Sequence, residues 1–343
     1  MTETVRSTRY GTAMIVTLDR QAALNALNRD MCLSIHAALN AALADPGVRR
    51  VVIEGAGERA FCAGGDVVGL TQAGRTDPAF WNGFFADEYR MNRAIARLPI
   101  DPVALLDGVT MGGGVGLSIH GRYRVATERT LFAMPETGIG LLPDVGGTHA
   151  LARLPGEIGT WLALTGARLK AADCRYAGIA THFVAADRIP ALRDALGGDQ
   201  DTGAILAGFD TDPGPAPLAA VRDAIDFHFA HDSVEAVQAS LAGGDDWARG
   251  QHEVIARMSP TSLKLSLAGL RMARGATIEA ALTTEYRMVA AIRTGRDFYE
   301  GVRAQLIDKD RAPLWSPAKL AEVDDAALAR YLHEPDDGDL EFD

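Results

Sequence analysis

Three consecutive glycines at positions 112–114 are the feature that most constrains this chain. They lie in the segment MGGGVGL (residues 111–117), after an apolar run typical of a β-strand (residues 102–108). Because glycine has no Cβ, the backbone here can approach a ligand that any other residue would exclude. A helix that begins at Gly113 would also place N–H groups at the positive end of its dipole. The segment is therefore predicted to face a developing negative charge.

A second glycine pair follows another apolar run. The sequence FCAGGD (residues 61–66) comes after a strand predicted over residues 48–55, and Gly64 and Gly65 permit a tight turn that presents a backbone N–H outward. Two such donors that converge on one point would form an oxyanion hole. Taken alone, each glycine cluster favours a close-packed turn. The spacing GGGVG does not match G-x-G-x-x-G, so no dinucleotide site is predicted.

Two carboxylates come next along the chain. Glu136 lies in MPET and Asp144 in LPDVGG, both on short turns bounded by proline and glycine. As isolated residues they would be surface carboxylates, but turns also carry a large share of catalytic groups. Combined with the two glycine clusters, they indicate an oxyanion-stabilising acyl site, which we expect to face solvent.

Composition limits the classes of protein to consider. The 343 residues are 48% hydrophobic and carry a formal net charge of −11, which argues against a general nucleic-acid binder. No apolar run is long enough to span a membrane, and the N-terminal residues contain no long apolar segment, so a cytoplasmic location is expected. Three scattered cysteines fit neither a disulfide framework nor a Cys-rich zinc site.

The order of the predicted elements favours an α/β fold. Strands are expected at residues 13–18, 48–55, 102–108 and 122–127, with a helix over residues 29–44 that ends at Asp45, Pro46 and Gly47. The pattern is helical from Pro155 onward. Residues 197–217 are predicted to form a loop, and residues 218–229, 233–241, 247–258 and 262–274 to form helices. The acidic residues 336–343 are expected to be a solvated tail.

Together these motifs are similar to the enoyl-CoA hydratase/isomerase (crotonase) superfamily. Residues 111–121, 134–137 and 143–147 resemble its subgroup of 3-hydroxyisobutyryl-CoA hydrolases, as do the later segments SPTSLK, TEYR and DFYEGVRA. The resemblance implies a crotonase-like ββα superhelix core with a helical C-terminal region. On this basis we expect residues 1–200 to form the core, with the oxyanion hole and the carboxylates, and residues 201–343 to form a mainly helical region.

The resemblance also implies a reaction and its residues. The activity would be hydrolysis of a short 3-hydroxyacyl-CoA thioester in valine catabolism, with no cofactor and no metal, by a chain that can form homo-oligomers. The N–H groups of Gly65 and Gly113 would hold the thioester oxygen, and Glu136 and Asp144 would be the catalytic carboxylates. Two further substrate contacts are implied, at Glu88 and near Leu24.

Several alternatives remain open at this stage. Hydratases of the superfamily use a second glutamate where this chain has Gly116, and they commonly have a glycine where it has Asp144. A hydratase or isomerase is therefore the nearest alternative, followed by a non-catalytic acyl-CoA-binding protein. Glu136 would either activate a water or attack the carbonyl itself. Asp144 would orient the water, raise the pKa of Glu136 or pass the proton onward.

Other potentially reactive residues are expected to be structural. Cys62 has no histidine near it in sequence. Ser118, His120 and His149 lack the G-x-S-x-G elbow of a serine hydrolase, and the two histidines do not match H-E-x-x-H. The aromatic residues Trp81, Phe84, Phe85 and Tyr89 indicate a helix that packs against a core and that would also cover the acyl group.

Overall fold

The computed structural model describes residues 4–342, which fall into two compact units. The first unit contains the residues up to 65, 87–133 and 168–220, and the second contains 66–86, 134–167 and the residues from 221 onward. Each unit is therefore assembled from three separate segments of the chain.

The first unit contains two β-sheets. The larger has the order β1-β2-β3-β5-β7-β9, in which only the β1–β2 pair is antiparallel, and the smaller has the parallel order β4-β6-β8. The nine strands are β1 (Val5–Tyr10), β2 (Ala13–Leu18), β3 (Arg50–Gly55), β4 (Ala60–Cys62), β5 (Asp101–Leu106), β6 (Val109–Met111), β7 (Tyr123–Ala126), β8 (Leu131–Ala133) and β9 (His182–Phe183).

Sixteen α-helices lie within residues 4–342. They are α1 (Arg29–Ala44), α2 (Val67–Ala73), α3 (Pro78–Ala96), α4 (Gly113–Gly116), α5 (Gly147–Leu151), α6 (Ile158–Thr165), α7 (Ala171–Tyr176), α8 (Ile189–Leu196), α9 (Thr202–Phe209), α10 (Arg222–Phe229), α11 (Val234–Ala242), α12 (Asp246–Ile255), α13 (Pro260–Ala273), α14 (Ile278–Ile292), α15 (Asp297–Val302) and α16 (Asp325–Ala329). No helix in this part of the chain is long and apolar enough to cross a membrane.

The central strands of the larger sheet are buried on both faces, as strands of parallel sheets usually are, whereas the edge strand β1 is largely exposed. Successive residues of β3 point to opposite sides, so Val51 and Ile53 join one apolar cluster and Val52 joins the other. Helix α1 covers the first face with residues such as Leu39, and helix α8 covers the second with residues such as Leu196. This two-sided burial explains why the strands read as nearly continuous apolar runs in the sequence.

Most of the sequence-based elements are confirmed with small shifts at their ends. The loop expected over residues 197–217 is wrong in part, because Thr202–Phe209 forms helix α9, which starts where the side chain of Asp201 accepts a hydrogen bond from the N–H of Ala204. The strand predicted at 13–18 and the helix predicted at 29–44 have the observed bounds. Asn28 starts that helix, because its side-chain oxygen accepts a hydrogen bond from the N–H of Met31. The C-terminal region is helical and the fold is α/β, as expected. The acidic tail was misjudged, since Asp339 pairs with Arg287 and Leu340 is buried.

The second unit consists mainly of helices. Helix α13 is its centre and packs against α5, α6 and α14. Ten of its fourteen residues are buried, so this helix is surrounded by other elements on most of its sides. The turns that carry Glu136 and Asp144 belong to this unit, and helices of the same unit hold them in place.

A stability prediction follows from Arg50, which lies at the start of β3 and is 1% exposed. Its guanidinium donates to the hydroxyl of Thr202 and to the carbonyl oxygens of Leu196, Gly198 and Gln200. We expect Arg50→Met to lower the free energy of unfolding by at least about 2 kcal/mol, because buried carbonyl groups lose their donor.

The neighbouring residue supplies the control. Arg49 has a side chain that is 58% exposed, so Arg49→Met should change the free energy of unfolding by no more than about 0.5 kcal/mol. Urea denaturation of the two variants measures the difference, and an equal loss in both would contradict the role assigned to Arg50.

Candidate active site

The two predicted glycine clusters are neighbours in the first unit. Strands β4 and β6 are parallel partners, so their carboxyl ends lie side by side and the glycine turns emerge together. A Cβ placed on Gly64, which has a φ of +123°, would lie 4.0 Å from the backbone nitrogen of Gly113. A Cβ on Gly114 would lie 2.2 Å from the carbonyl oxygen of Cys62. Only glycine allows the two backbones to approach this closely.

Two backbone donors at this point are free to bind a ligand. Neither the N–H of Gly65 nor that of Gly113 donates a hydrogen bond to another of residues 4–342. Gly113 is the first residue of α4, where a helix leaves its N–H groups without intrahelical partners. An unpaired N–H is costly where it is buried, as at Gly113, so this donor is suited to a ligand oxygen.

Leu24 lies beside the same turn. Its carbonyl oxygen accepts a hydrogen bond from the N–H of Ala63 at 3.0 Å, and the N–H of Leu27 donates to the carbonyl oxygen of Gly64 at 2.8 Å. Leu24 and Asn25 both have positive φ values, of 52° and 57°. The segment is held by the buried side chain of Asn25, which donates to the carbonyl oxygens of Ala56 and Ala60.

Glu88 lies next to Gly113. Its side chain is on α3 and only 2% exposed, and a Cβ on Gly113 would lie 2.6 Å from its Oε1 atom. The structure therefore brings Leu24, Gly65, Glu88 and Gly113 together, as the resemblance implies. Gly113 itself is buried. The expectation that the site faces solvent is wrong at this residue, because α3 covers the start of α4.

The catalytic carboxylates proposed from the sequence are buried in the second unit. Glu136 is 4% exposed and opens the 3₁₀ turn Glu136–Ile139. This turn packs against α15, since a Cβ on Gly140 would lie 2.3 Å from the carbonyl carbon of Asp297. The Oε2 atom of Glu136 is buried and has no hydrogen-bond partner within residues 4–342. A carboxylate oxygen in this situation is poorly stabilised and therefore basic.

Asp144 is the second buried carboxylate and is also 4% exposed. Its carbonyl oxygen accepts a hydrogen bond from the N–H of Gly147 at 2.6 Å, which closes the turn. Burial, together with the like charge of Asp144, raises the pKa of Glu136 well above its ordinary value. A raised pKa matches a group that must accept a proton near neutral pH.

One buried carboxylate of the second unit was missed in the sequence. Glu285 on α14 is fully buried, and both of its oxygens accept hydrogen bonds from the turn that follows Asp144. Burial raises the pKa of Glu285, and the hydrogen bonds from Gly146 and Thr148 act in the opposite direction by stabilising the carboxylate. The sequence indicates that Glu285 is unusual, because it lies among the apolar residues Leu282, Met288 and Val289 on the buried face of α14. A charged residue on such a face is rarely buried without a partner.

The surroundings of Cys62, Ser118 and Trp81 fit the structural roles expected of these residues. Burial raises the pKa of the Cys62 thiol to about 12, so it stays protonated and unreactive at neutral pH. The hydroxyl of buried Ser118 donates within its own helical turn, to the carbonyl oxygen of Gly114. Trp81 packs edge-on against Phe298 at a ring-centroid distance of 5.0 Å.

The chain belongs to the enoyl-CoA hydratase/isomerase family, whose model matches residues 13–332. A relative in Xenopus tropicalis, named 3-hydroxyisobutyryl-CoA hydrolase, mitochondrial, is 44% identical over 98% of this chain and 90% of its own length.

Two solved structures share the fold, although their names describe other reactions. One, described as a carnitinyl-CoA dehydratase from Mycobacterium thermoresistibile, has a TM-score of 0.94 and is 40% identical over 99% of both chains. The other, described as an enoyl-CoA hydratase from Rhodobacter sphaeroides 2.4.1, has a TM-score of 0.92 and is 42% identical over 99% of this chain and 100% of its own.

The close approach of the glycine turns leads to a prediction. Gly114→Ala should lower the free energy of unfolding by about 2–3 kcal/mol, because its Cβ would meet the backbone of Cys62. Gly113→Ala should cost less, about 1–2 kcal/mol, because its Cβ would meet the Glu88 and Leu27 side chains at 2.6 and 3.1 Å but the backbone of Gly64 only at 3.3 Å. Thermal unfolding of both variants measures the difference. The reverse order of stability would show that the turns do not pack as described.

Proposed function

We propose that this protein hydrolyses a short-chain 3-hydroxyacyl-CoA thioester, with 3-hydroxyisobutyryl-CoA as the preferred substrate. The products are CoA and 3-hydroxyisobutyrate, which places the reaction in valine degradation. The observation that carries the proposal is the buried pair Glu136 and Asp144, in a chain whose residue 116 is glycine. The name of the Xenopus tropicalis relative supports the same reaction.

Each catalytic residue has a defined role in this proposal. The N–H groups of Gly65 and Gly113 stabilise the negative charge that develops on the thioester oxygen. The loss of one such donor typically costs about 3 kcal/mol in the transition state. Glu88 and the backbone near Leu24 contact the substrate. The reaction needs no cofactor and no metal, because CoA is part of the substrate and the carboxylates supply the acid–base chemistry.

Glu136 acts on the substrate by one of two balanced routes. As a base, it takes a proton from a water whose oxygen bonds to the carbonyl carbon; the C–S bond then breaks and the CoA sulfur receives the proton. As a nucleophile, its own oxygen bonds to the carbonyl carbon and expels the thiolate, and water opens the resulting anhydride. A single turnover in H₂¹⁸O distinguishes the routes, because only the anhydride can place ¹⁸O in the Glu136 side chain.

A hydratase is the second candidate, favoured by the names of the two solved structures. Hydration of an enoyl-CoA with paired glutamates would need a carboxylate at position 116, where this chain has a buried glycine. The discriminating experiment is an assay of wild-type protein against a panel of short acyl-CoA thioesters. Release of free CoA thiol, detected with a thiol reagent, supports hydrolysis. Hydration of crotonyl-CoA without thiol release would overturn the proposal in favour of the hydratase.

The location and assembly of the protein belong to the same proposal. We propose a reducing compartment, because the three buried cysteines are unpaired, and the cytoplasm is the one that the sequence predicts. The Xenopus tropicalis relative is named mitochondrial, so cell fractionation is the deciding measurement. We also propose that the chain forms homo-oligomers, which sedimentation velocity would detect.

Replacement of Glu136 tests the chemical step. Glu136→Gln keeps the shape of the side chain and removes the base or nucleophile, so kcat should fall to below about a tenth of the wild-type value while binding of a CoA thioester stays within a few fold. The matched control is Glu157→Gln, a largely buried glutamate of the same unit that pairs with Arg271 and Arg274. It should retain kcat. A fully active Glu136→Gln protein would refute the assignment.

The pH dependence tests the coupling between the two carboxylates. Only ionised Glu136 can act, so kcat/KM should rise with pH through the raised pKa of Glu136 and be lost as the pH falls below it. Asp144→Asn removes the like charge, which should lower the pKa of Glu136 and move the rising limb to lower pH. The measurement is a pH profile of both proteins. A rising limb that stays at the same pH, or moves to higher pH, would contradict the coupling between Glu136 and Asp144.

A further inference from the structure

The turn that carries Asp144 is strained. Val145, the next residue, has a φ of 56°, and Gly146 has a φ of 74°. A β-branched residue in the left-handed region is a rare outlier that costs about 1–3 kcal/mol. Such a conformation persists only when the surrounding structure holds it. The position of Asp144 therefore depends on contacts that fix residues 145–148.

Glu285 provides those contacts from α14. Its Oε2 atom accepts a hydrogen bond from the N–H of Gly146 at 2.7 Å, and its Oε1 atom accepts one from the N–H of Thr148 at 3.0 Å. The hydroxyl of Thr148 donates to the same Oε1 atom. Three donors thus converge on one carboxylate, and all three lie within four residues of Asp144.

The chemistry of the three donors requires a carboxylate at position 285. A glutamate side chain has two acceptor oxygens, whereas a glutamine has one oxygen and one donor group. The oxygen of a glutamine could accept a hydrogen bond from either Thr148 or Gly146. Its NH₂ group, which is a donor, would then face the N–H of the other residue and could not accept from it. Burial of a carboxylate is costly unless it is hydrogen-bonded, and here it is. A residue needed only to fill space on α14 would be apolar.

We propose that Glu285 is a positioning residue for the hydrolysis, which holds the strained turn so that Asp144 keeps its place relative to Glu136. This inference rests on the function proposed above. Glu285 touches Gly146 and Thr148, and it acts on the reaction through the turn.

Glu285→Gln is the first test. We expect kcat for thioester hydrolysis to fall about 10- to 100-fold, because small displacements of catalytic groups have effects of this size. KM should stay within about threefold, since Glu285 contributes no substrate contact. The control is Glu157→Gln, which also removes a buried acceptor of three groups in the same unit, at Thr160, Arg271 and Arg274. It should lose similar thermal stability and keep kcat.

A second pair of variants keeps the test decisive if Glu285→Gln does not fold. Thr148→Val removes the hydroxyl donor and preserves the side-chain shape, so kcat should fall. Thr148→Ser keeps the donor and should restore most of the activity. If Glu285→Gln and Thr148→Val retain wild-type kcat, or if Glu157→Gln loses as much activity as Glu285→Gln, the positioning role is refuted.

The role of Glu285 in holding the turn can also be tested without any assay of activity. Hydrogen–deuterium exchange of the peptide that spans residues 142–151 should be faster in Glu285→Gln than in Glu157→Gln or the wild type. Unchanged exchange would overturn the inference. If the wild-type protein releases no CoA from any thioester, the proposed function fails while the exchange result still decides whether Glu285 holds the turn.

Discussion

The close approach of two backbones at the ends of neighbouring parallel strands is the constraint on which the first unit depends. Strands β4 and β6 run side by side, so the glycine turns that follow them meet at one edge of the small sheet. A Cβ on Gly114 would meet the carbonyl oxygen of Cys62 at 2.2 Å. The N–H groups of Gly65 and Gly113, at the same edge, donate to no other of residues 4–342. The glycines therefore permit close packing at the place where two backbone donors are left for a ligand.

The second unit buries three carboxylates around the turns of the candidate site. Glu136, Asp144 and Glu285 are all shielded from water, and each would be costly to bury as an isolated charge. Glu285 offsets this cost with three hydrogen bonds, whereas one oxygen of Glu136 has no partner within residues 4–342. The two glutamates differ in their surroundings rather than in their chemistry. Glu285 is suited to hold a turn, and Glu136 is suited to accept a proton.

The relation to known proteins shows why the fold alone does not define the reaction. Chains described as a carnitinyl-CoA dehydratase and an enoyl-CoA hydratase match almost the whole structure, while the Xenopus tropicalis relative is named a hydrolase. One scaffold therefore occurs in proteins named for different reactions. Individual residues decide which of these reactions takes place. In this chain Gly116 and Asp144 are the informative ones, and they favour hydrolysis.

Much of the architecture and most of the candidate site could be predicted from local sequence. Periodicity located the strand at Ala13–Leu18 and the helix at Arg29–Ala44, and the glycine motifs identified the backbone donors. The small sheet escaped prediction because a strand of three residues, such as β4, has too few positions to show a period. The burial of Gly113 and the hydrogen bonds of Glu285 depend on residues that are far apart in sequence. Glu285 and Thr148, for example, are separated by 137 positions. Residue types and their local spacing determined which groups can react, and only tertiary packing decided which of them are shielded from water, hydrogen-bonded or strained.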